Sequence, residues 1–597
     1  MAQRSAGRSE RCLPDTLPAA RWMRIRAALG VCVLGLILAL LAARLAQIQI
    51  AGHDRYAALA DEQHVMRRTI GARRGDVRDA AGRGLATSVR VWSVCADPQA
   101  VANPEAAATL LAGVLELDRA MVRRKLGRPN RFVWIKRKVS DEQAAFLREV
   151  GLQGVSFRKE WLRKHPHGNV AAQVVGLTDV DGQGLSGVEL RLGGLLRPRP
   201  GREAVAVDAK RRVIRRPDDR LIRVPSDGCD VTLTVDSLVQ EVAQQELAKA
   251  VEKHRPEAAW AVVLDTRTSA VLAMANWPEF NPEDRAGFRA GTDRNLIVTD
   301  AHEFGSVMKP FTVAAALDAG VVKPETEFFC YNGTWRAGTG GRGSRTVRDA
   351  HGFGTLTVSD ILAKSSNIGT AQIGTLLGAD RLHMGLRLFC LGEPTGIELP
   401  GETGGILRPL SLWTSYSVVS ISFGQELATS PLSVATAFCA FANRGVLYRP
   451  QIIRRITDSR TGRVLYELNE PVRTHRVVSP RTAAQVLAML RRVVVSGTGR
   501  RADLEDYPVA GKTGTAQLAR TDGRGYYDDL YLSSFVGLAP AHEPRICVLV
   551  SLKAPTENGY YGGTVAAPVV ARIIDRTLRY LEVPTSRQDA SLAEADL

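Results

Sequence analysis

The longest uninterrupted hydrophobic stretch of the chain lies close to its N-terminus. Residues 27–43 read AALGVCVLGLILALLAA, a run of 17 apolar residues without a charge. This length is just sufficient to span a bilayer as a helix, and the following LAQIQI keeps apolar residues at helical spacing. The pattern predicts one transmembrane helix over residues 27–49, and no second run of this quality follows.

The charges beside this stretch predict its orientation. Six arginines and only two acidic residues precede it, and positively charged flanks remain in the cytoplasm. Residues 1–26 are therefore predicted to form a cytoplasmic basic tail, and the chain beyond Arg44 to be translocated. A cleaved signal peptide is the alternative, with a shorter apolar core and a small-x-small cleavage site. Because the helical pattern continues past Ala42-Ala43-Arg44, we favour an uncleaved anchor.

The segment after the anchor shows weaker, mixed patterns. Residues 66–98 alternate between apolar and polar positions and are interrupted by turn-forming glycines, which predicts short strands. Helical spacing predicts helices over 104–127 and 140–150. The Pro- and Arg-rich stretches 196–202 and 215–228 are predicted to be connectors.

The pattern changes near residue 228. Residues 230–236 (DVTLTVD) alternate like a strand, and 237–253 carry apolar residues at helical spacing. Residues 260–275 predict a hairpin, 545–552 a buried strand, and 564–582 an amphipathic helix. Strands, then many helices, then strands again predict an α+β catalytic domain.

Charge and cysteine content narrow the function classes. The 597 residues carry 79 Lys and Arg against 62 Asp and Glu, a net charge of +17, which fits a nucleic-acid binder or a membrane-surface protein. The excess is uneven: residues 44–228 hold 34 basic and 21 acidic residues, whereas 229–597 hold 39 of each. The charge is therefore better explained by a membrane-tethered arm than by nucleic acid. Eight cysteines without a C-x-x-C pair argue against a zinc framework.

Three short motifs carry candidate chemistry. In Ser306-Val307-Met308-Lys309, the serine and lysine stand three residues apart and share one helix face. A serine hydroxyl is a weak nucleophile that needs an adjacent base, and a lysine becomes that base when burial lowers its pKa. Taken alone, this spacing is common by chance, and a solvated helix face is the favoured explanation.

The other two motifs are also weak in isolation. Ser365 and Asn367, in AKSSNIGT, point into one site from a tight turn or simply cap a helix. The sequence VAGKTGTAQ around Gly514 predicts a strand edge that permits close approach. It is no phosphate loop, because Asp506 occupies the position of the required first glycine.

In this order, however, the three motifs form a signature. S-x-x-K with S-D-N and K-T-G is typical of penicillin-binding proteins and class A β-lactamases, and the middle motif here is Ser-Ser-Asn. The chain resembles the class B penicillin-binding proteins, which are monofunctional peptidoglycan D,D-transpeptidases, and most closely their cell-division type (the FtsI or penicillin-binding protein 3 type).

The resemblance extends from the anchor to about residue 582. The matching blocks are Arg74-Gly75-Asp76 through Leu85-Ala86, Gly176 with Gly187-Val188-Glu189, Leu233-Thr234-Val235-Asp236, Phe423-Gly424-Gln425-Glu426 with Thr429 and Pro431, and GYYDD, SSFVGLAPA and GYYGGTVAAPV near the C-terminus. Phe304, Val307 and Ser269 depart from the family pattern, but none of them removes a catalytic group.

The resemblance implies a fold and a domain order. It implies an elongated mixed pedestal domain and a transpeptidase domain in which helices cover an antiparallel sheet. The predicted segments are a cytoplasmic tail (1–26), a transmembrane anchor (27–49), a periplasmic pedestal (50–228), a transpeptidase domain (229–582) and a flexible C-terminal tail (583–597).

The resemblance also implies catalytic roles. Ser306 would attack the D-Ala-D-Ala bond of a stem peptide, and Lys309 would take its proton. Ser365 would relay a proton to the leaving D-Ala. Asn367 would hydrogen-bond the Lys309 amine or the substrate amide.

Substrate-binding roles fall on the third motif. Backbone N–H groups of Ser306 and Thr515 would form the oxyanion hole. Lys512, Thr513 and Thr515 would bind the terminal carboxylate, and Gly514 would leave room for the substrate. β-Lactams would acylate the same serine as mimics of the dipeptide, and no metal or organic cofactor is implied.

Several alternatives remain beside this interpretation. A β-lactamase would need a further base for deacylation, which the sequence does not locate. A bifunctional synthase would need a glycosyltransferase domain, for which residues 44–228 are too short. An elongation-type class B enzyme, or a non-catalytic divisome scaffold or β-lactam sensor, would share the architecture, although a scaffold would be expected to lose a motif residue.

The resemblance implies a location and partners. The protein would lie in the bacterial inner membrane as a single-pass protein, with its catalytic domain in the periplasm. Its partners would be peptidoglycan stem peptides, an FtsW-like glycan polymerase and other divisome proteins, and no nucleic acid. The charge of residues 44–228 predicts a surface for anionic lipid headgroups, glycan or an acidic partner. Six cysteines would face an oxidising periplasm, where buried free thiols are favoured over a Cys330–Cys390 disulfide.

Overall fold

The computed structural model describes residues 17–207, 213–214, 220–284, 287–337, 345–520, 522–523 and 525–586. These form two compact units. The first comprises the described parts of Met1–Ile70 and Pro200–Pro225, and the second the described parts of Gly71–Arg199 and Ser226–Leu597. Most of the predicted cytoplasmic tail and C-terminal tail lies outside the described residues.

The predicted anchor is a long helix. Helix α1 runs over Leu17–Ala46 and continues into a wide helical turn at Gln47–Ala51. By length and composition, Arg21–Ala51 is able to cross a membrane. The helix begins ten residues before the predicted span. Helix α2 (His53–His64) follows after Gly52 and leads directly into strand β1 (Val65–Ile70).

Residues 71–225 alternate between short strands and helices. In chain order the elements are β2 (Val77–Arg78), β3 (Gly84–Ala96), α3 (Pro104–Leu115), α4 (Arg119–Leu126), β4 (Val133–Val139), α5 (Asp141–Val150), β5 (Val155–Lys164), α6 (Ala172–Val175), α7 (Gly187–Arg191), α8 (Gly193–Leu196), β6 (Gly201–Val207), β7 (Val213–Ile214) and β8 (Arg220–Arg223).

The remaining strands and α-helices lie after residue 229, in the part of the chain predicted to be catalytic and called the catalytic half below. They are β9 (Asp230–Leu233), α9 (Ser237–His254), β10 (Ala258–Asp265), β11 (Val271–Trp277), α10 (Leu296–Thr299), α11 (Lys309–Asp318), β12 (Glu327–Phe329), β13 (Thr334–Ala337), β14 (Arg345–Arg348), β15 (Thr355–Thr357), α12 (Val358–Lys364), α13 (Asn367–Leu377), α14 (Ala379–Leu388), β16 (Ile406–Leu407), α15 (Ser417–Ser422), β17 (Leu427–Ala428), α16 (Pro431–Ala442), β18 (Val446–Tyr448), β19 (Ile453–Thr457), β20 (Val464–Glu467), β21 (Arg473–Arg476), α17 (Pro480–Val495), β22 (Ala510–Ala519), β23 (Tyr526–Ala539), β24 (Ile546–Lys553), α18 (Gly562–Val565) and α19 (Ala567–Tyr580).

A small sheet in the first unit corrects one prediction. Strand β6 pairs antiparallel with β1 and with β8. Residues 220–223 therefore form a strand, and the prediction of a connector over 215–228 was wrong there. Its Arg- and Pro-rich composition resembles a linker, but hydrogen bonding to β6 satisfies the backbone of β8.

The pedestal and the catalytic half share a sheet. Its strand order is β20-β19-β9-β2-β3-β4, with β5 also paired to β3. Strand β2 lies parallel to β9, with Val77 opposite Val231. Strands are present over residues 66–98, as predicted, but β3 is not short, since it is 13 residues long.

A buried ion cluster connects α7, strand β5 and the segment before β2. Glu189 of α7 is fully buried and accepts hydrogen bonds from Arg163 Nε and Arg74 Nε, each at 2.6 Å. Arg163 also donates to the backbone oxygen of Gly75 at 2.8 Å. The carboxylate thus compensates two buried guanidinium groups, which would otherwise be costly to desolvate.

The catalytic core is a five-stranded sheet in the order β11-β10-β24-β23-β22, and all of its pairings are antiparallel. Helices α9 and α19 pack on one face, and the opposite face packs against a core that contains α11, α13 and α16. The predicted α+β fold, with one N-terminal apolar helix and a helix-covered antiparallel sheet, is confirmed. Strand β22 is an edge of this sheet, and its open side faces the candidate site.

Candidate active site

The candidate nucleophile lies on a tight turn at the start of a buried helix. Ser306 belongs to a 3-10 turn over Gly305–Met308, and Lys309 is the first residue of α11. Gly305 has a φ of +53°, which a glycine adopts without strain. Among the described residues the Ser306 hydroxyl makes no hydrogen bond, so its lone pairs are available to a substrate.

Glycines let two other segments approach this turn closely. A Cβ at Gly514 would lie 2.6 Å from Val307 Cγ2 and 2.8 Å from the Phe304 oxygen. A Cβ at Gly424 would overlap the Gly305 backbone oxygen. Larger side chains at these positions would push β22 or the turn after α15 away from the serine.

Lys309 is fully buried, and its amine points at the second motif. Its Nζ donates to the Ser365 backbone oxygen at 2.5 Å and to Ser365 Oγ at 3.3 Å. Burial lowers the pKa of Lys309 to about 7, while the charge of Asp349 opposes this shift. The amine is therefore able to accept a proton near neutral pH.

Lys512, on β22, reaches the same hydroxyl from the other side. It is fully buried and its Nζ donates to Ser365 Oγ at 2.9 Å and to the Thr513 oxygen at 3.1 Å. Burial, and then the charge of Lys309, lower the pKa of Lys512 well below its usual range. Two buried amines thus converge on one serine hydroxyl, an arrangement typical of functional sites.

The second motif is a strained turn between two helices. Ser365 ends α12 with a left-handed φ of +59°, and Ser366 caps α13 by accepting from Gly369 N. Asn367 Nδ2 donates to the Arg348 oxygen at 2.8 Å. The expected hydrogen bond between Asn367 and the Lys309 amine is not present in the structure.

Sequence reasoning missed the residue that holds this turn. Asp349 follows β14, and its carboxylate accepts from Ser366 Oγ at 2.6 Å, Asn367 N at 2.5 Å and Ile368 N at 3.1 Å. No local sequence signal points to it, because it lies 17 residues before Ser366, to which it is hydrogen-bonded.

A second missed residue contacts the third motif. Thr498 Oγ1 lies 2.7 Å from Thr513 Oγ1, and Thr498 N donates to the Ala363 oxygen. Its place between two glycines, in SGTGRR, would only have predicted a turn.

A half-buried carboxylate links the nucleophile turn to β23 and to the turn after α15. Glu303 accepts from Tyr526 Oη at 2.8 Å and from Glu426 N at 3.0 Å. Desolvation raises the pKa of Glu303, which Tyr526 partly offsets. Sequence reasoning singled out neither Glu303 nor Tyr526.

The last motif residue lies where β22 meets the start of α18. Thr515 pairs with Ser533 of β23, and its Oγ1 accepts from Gly562 N at 3.0 Å. Tyr531, Tyr560 and Tyr561 stack nearby, with ring centroids 4.3 and 4.5 Å apart. The structure thus brings Ser306, Lys309 and Ser365 close to the Lys512–Thr515 segment.

One cysteine reaches the second motif, since Cys330 Sγ lies 3.6 Å from Ser366 Oγ. Cys330 and Cys390 are free thiols, as favoured over a disulfide. Cys12 lies outside the described residues. Across the described ranges, no group of three or more His, Cys, Asp or Glu side chains is placed to hold a metal ion.

Comparison with known proteins assigns the family. The profile of the penicillin-binding protein transpeptidase domain matches residues 259–575, and that of the penicillin-binding protein dimerisation domain matches residues 69–233. The chain belongs to the penicillin-binding protein transpeptidases. The segment termed the pedestal corresponds to the dimerisation domain, while the domain boundaries set from the sequence stay predictions.

Relatives of this penicillin-binding protein cover nearly its full length. It is 33% identical to the probable peptidoglycan D,D-transpeptidase PbpC of Pseudomonas aeruginosa, over 93% of this chain and 94% of that protein. It is 31% identical to the peptidoglycan D,D-transpeptidase FtsI of Escherichia coli K12, over 92% of this chain and 91% of that protein. The structure matches penicillin-binding protein 3 of Mycobacterium tuberculosis with a TM-score of 0.68 and 29% sequence identity. The match covers 87% of this chain and 98% of that chain.

Proposed function

We propose that this penicillin-binding protein is a serine D,D-transpeptidase that cross-links peptidoglycan stem peptides during septal wall synthesis. One observation carries the proposal. Two fully buried lysines, Lys309 and Lys512, converge on Ser365 Oγ, and Lys309 follows Ser306 by one turn at the start of α11. This arrangement supplies a nucleophile, a base whose pKa is lowered to about 7 and a hydroxyl that relays protons.

In the acylation step, Ser306 Oγ attacks the carbonyl carbon of the D-Ala-D-Ala bond. Its proton passes to Lys309 Nζ, whose pKa is lowered by burial to about 7, so that a large fraction of the amine is unprotonated near neutral pH. Backbone N–H groups of Ser306 and Thr515 stabilise the developing oxyanion, a contribution of about 2.7–4 kcal/mol per donor in other acyl-transfer enzymes.

Collapse of the tetrahedral intermediate breaks the C–N bond. The leaving amine of D-Ala takes a proton from Ser365 Oγ, which is replenished by Lys309 at 3.3 Å. The products are free D-Ala and an ester between Ser306 and the donor stem peptide. Ser365 suits this relay because both lysine amines contact its hydroxyl.

The terminal carboxylate of the donor binds on β22. Lys512 and the hydroxyls of Thr513 and Thr515 provide charge-assisted hydrogen bonds. The negative charge of the substrate raises the pKa of Lys512, so the buried amine becomes an ammonium group when the carboxylate arrives. Gly514 leaves room beside the nucleophile turn.

The second half-reaction transfers the acyl group. An amine of a neighbouring stem peptide attacks the ester carbonyl and gives a proton to Lys309. The C–O bond to Ser306 then breaks, Lys309 returns the proton to Ser306 Oγ, and the new amide is released. β-Lactams acylate Ser306 in the same way, but their ring-opened ester resists the incoming amine.

The cellular setting follows from the N-terminal helix and the family. The helix Arg21–Ala51 anchors the protein in the inner membrane, with the arginine-rich N-terminus in the cytoplasm and the catalytic domain in the periplasm. Its partners are an FtsW-like glycan polymerase and other divisome proteins. The basic pedestal serves as the surface for anionic lipid, glycan or an acidic partner.

Labelling of membranes with a fluorescent penicillin tests the chemistry. Wild type is expected to form a covalent adduct on Ser306, identified by peptide mass spectrometry, and Ser306→Ala to form none. Ser496→Ala, an exposed serine in the same domain, is the matched control and should label fully. Equal labelling of wild type and Ser306→Ala would exclude the proposed mechanism.

A further inference from the structure

We propose that Asp349 is a positioning residue of the transpeptidation site, which fixes the Ser365–Asn367 turn and supplies a negative charge that acts on the buried Lys309. The inference rests on the proposed function. It concerns a residue outside the three motifs.

The geometry around this carboxylate is that of a dedicated anchor. One oxygen accepts from the backbone N–H groups of Asn367 and Ile368, at 2.5 and 3.1 Å, and the other accepts from Ser366 Oγ at 2.6 Å. The N-terminus of α13 therefore points at a carboxylate, which the helix dipole favours. Asp349 itself is fixed, because its backbone N donates to the Gly333 oxygen at 3.1 Å.

Arg348, the residue before Asp349, also supports the Ser365–Asn367 turn. The Arg348 backbone oxygen accepts from Asn367 Nδ2 at 2.8 Å. Residues 348–349 thereby engage two backbone N–H groups and two side chains immediately after Ser365. Since Ser365 adopts a left-handed conformation, with a φ of +59°, these bonds hold a strained residue whose hydroxyl must lie between two amines.

The charge balance of the site gives the carboxylate a second effect. Burial dominates the pKa of Lys309 and lowers it, whereas the Asp349 charge raises it. Lys512, from β22, shares the Ser365 hydroxyl with Lys309, and the charge of Lys309 disfavours protonation of Lys512. Asp349 therefore stabilises the protonated state of Lys309.

The charged groups of α12, which also packs against α11, are engaged away from Lys309. Asp360 of α12 binds Arg492 of α17 at 2.7 Å, and Lys364 of α12 is exposed, with its amine over the Phe353 ring. Helix α13 and the 3-10 turn over Gly305–Met308 contain no charged residue.

The two effects are separable by substitution. In Asp349→Asn the remaining carbonyl oxygen still accepts from the α13 backbone, and the amide hydrogen-bonds the Ser366 hydroxyl, so the turn is kept while the charge is lost. In Asp349→Ala both are lost. A purely structural role would make the two variants differ in rate alone, without any change in pH dependence.

The experiment measures the second-order rate constant for acylation of the full-length protein by a fluorescent penicillin between pH 5 and 9. Asp349→Asn is expected to move the acid-side midpoint of the profile downward by about one pH unit, because an opposite charge at close range favours protonation by that order. Asp349→Ala is expected to lower the rate about 100-fold at every pH, since small displacements of catalytic groups have such effects.

The matched control is Asp318→Asn. Asp318 also accepts from a backbone N–H at a helix start, Ser479 N at 2.8 Å, and from the Thr482 hydroxyl at 2.8 Å, but it lies at the far end of α11. Its substitution should leave the midpoint in place. An unchanged midpoint in folded Asp349→Asn overturns the inference, whereas absence of acylation of Ser306 in wild type overturns the proposed function instead.

Discussion

At the scale of single residues, the state of Lys309 dominates the expected pH behaviour. Its pKa is lowered to about 7 in the folded protein, chiefly by burial. A base must be unprotonated to accept the serine proton, so the acylation rate should fall as the pH drops through about 7. Stopped-flow measurement of penicillin acylation against pH tests this, and a rate constant independent of pH between 6 and 8 would contradict it.

The identity of the base gives a second prediction at this scale. Lys309→Arg keeps a positive charge but introduces a guanidinium that does not deprotonate in proteins. Acylation should fall by about 10²–10⁴-fold, the usual contribution of a general base. Lys364→Arg, at an exposed position one residue before the second motif, is the control and should retain its activity. Acylation of Lys309→Arg at the wild-type rate would exclude Lys309 as the base.

At this scale the sequence predicted candidate site residues that the structure brings close together, but not the residues that support them. Ser306, Lys309, Ser365 and Lys512 stand in recognisable spacings because each motif is local. Asp349, in contrast, acts on backbone N–H groups through a contact that only the fold creates. The same holds for the Asn367 side chain, which bonds the Arg348 oxygen rather than the lysine.

At the scale of secondary-structure elements, the packing of β22 against the nucleophile turn is the critical contact. A methyl group at residue 514 would meet Val307 Cγ2 at 2.6 Å, so Gly514→Ala should displace the strand and slow acylation by about 100-fold. Gly523→Ala, with no atom within 4 Å of its Cβ, is the control. Equal acylation rates in both variants would contradict the packing argument.

The buried ion cluster of the pedestal gives a stability prediction. Glu189→Gln leaves Arg74 and Arg163 without their counter-charge, so the free energy of unfolding should fall by about 3–5 kcal/mol. Glu105→Gln, which removes the exposed partner of Arg119, should change it by less than about 1 kcal/mol. Chemical denaturation followed by intrinsic fluorescence measures both, and similar values for the two variants would refute the prediction.

The sequence-based prediction of secondary structure failed for one strand whose composition is typical of a linker. The hairpin of β10 and β11, helix α9 and strand β24 were predicted correctly because apolar periodicity records their burial. Strand β8 was missed because Arg220–Arg223 has the composition of a linker, and only its pairing with β6 makes it a strand. Such non-local hydrogen bonds leave no periodic signal in the sequence.

At the scale of the whole molecule, the distribution of charge predicts topology. A membrane-impermeant maleimide applied to intact spheroplasts should label Ser496→Cys, which is exposed in the catalytic unit. Ser5→Cys, in the arginine-rich N-terminal segment, should be labelled only after the membrane is permeabilised. Labelling of both positions in intact spheroplasts would contradict a cytoplasmic N-terminus.

The chain passes between the two compact units at three peptide linkages, after Ile70, Arg199 and Pro225. The helix α1 is therefore joined to the rest of the chain by a single covalent linkage, after Ile70, while β1 and β6 form a ladder of six paired residues within the first unit. If a protease cut the chain between residues 70 and 71, strand β6 would still be covalently connected to the second unit and hydrogen-bonded to β1. Separation of α1 from the rest of the protein would then also require the β1–β6 ladder to dissociate, so one cut at this linkage is not sufficient.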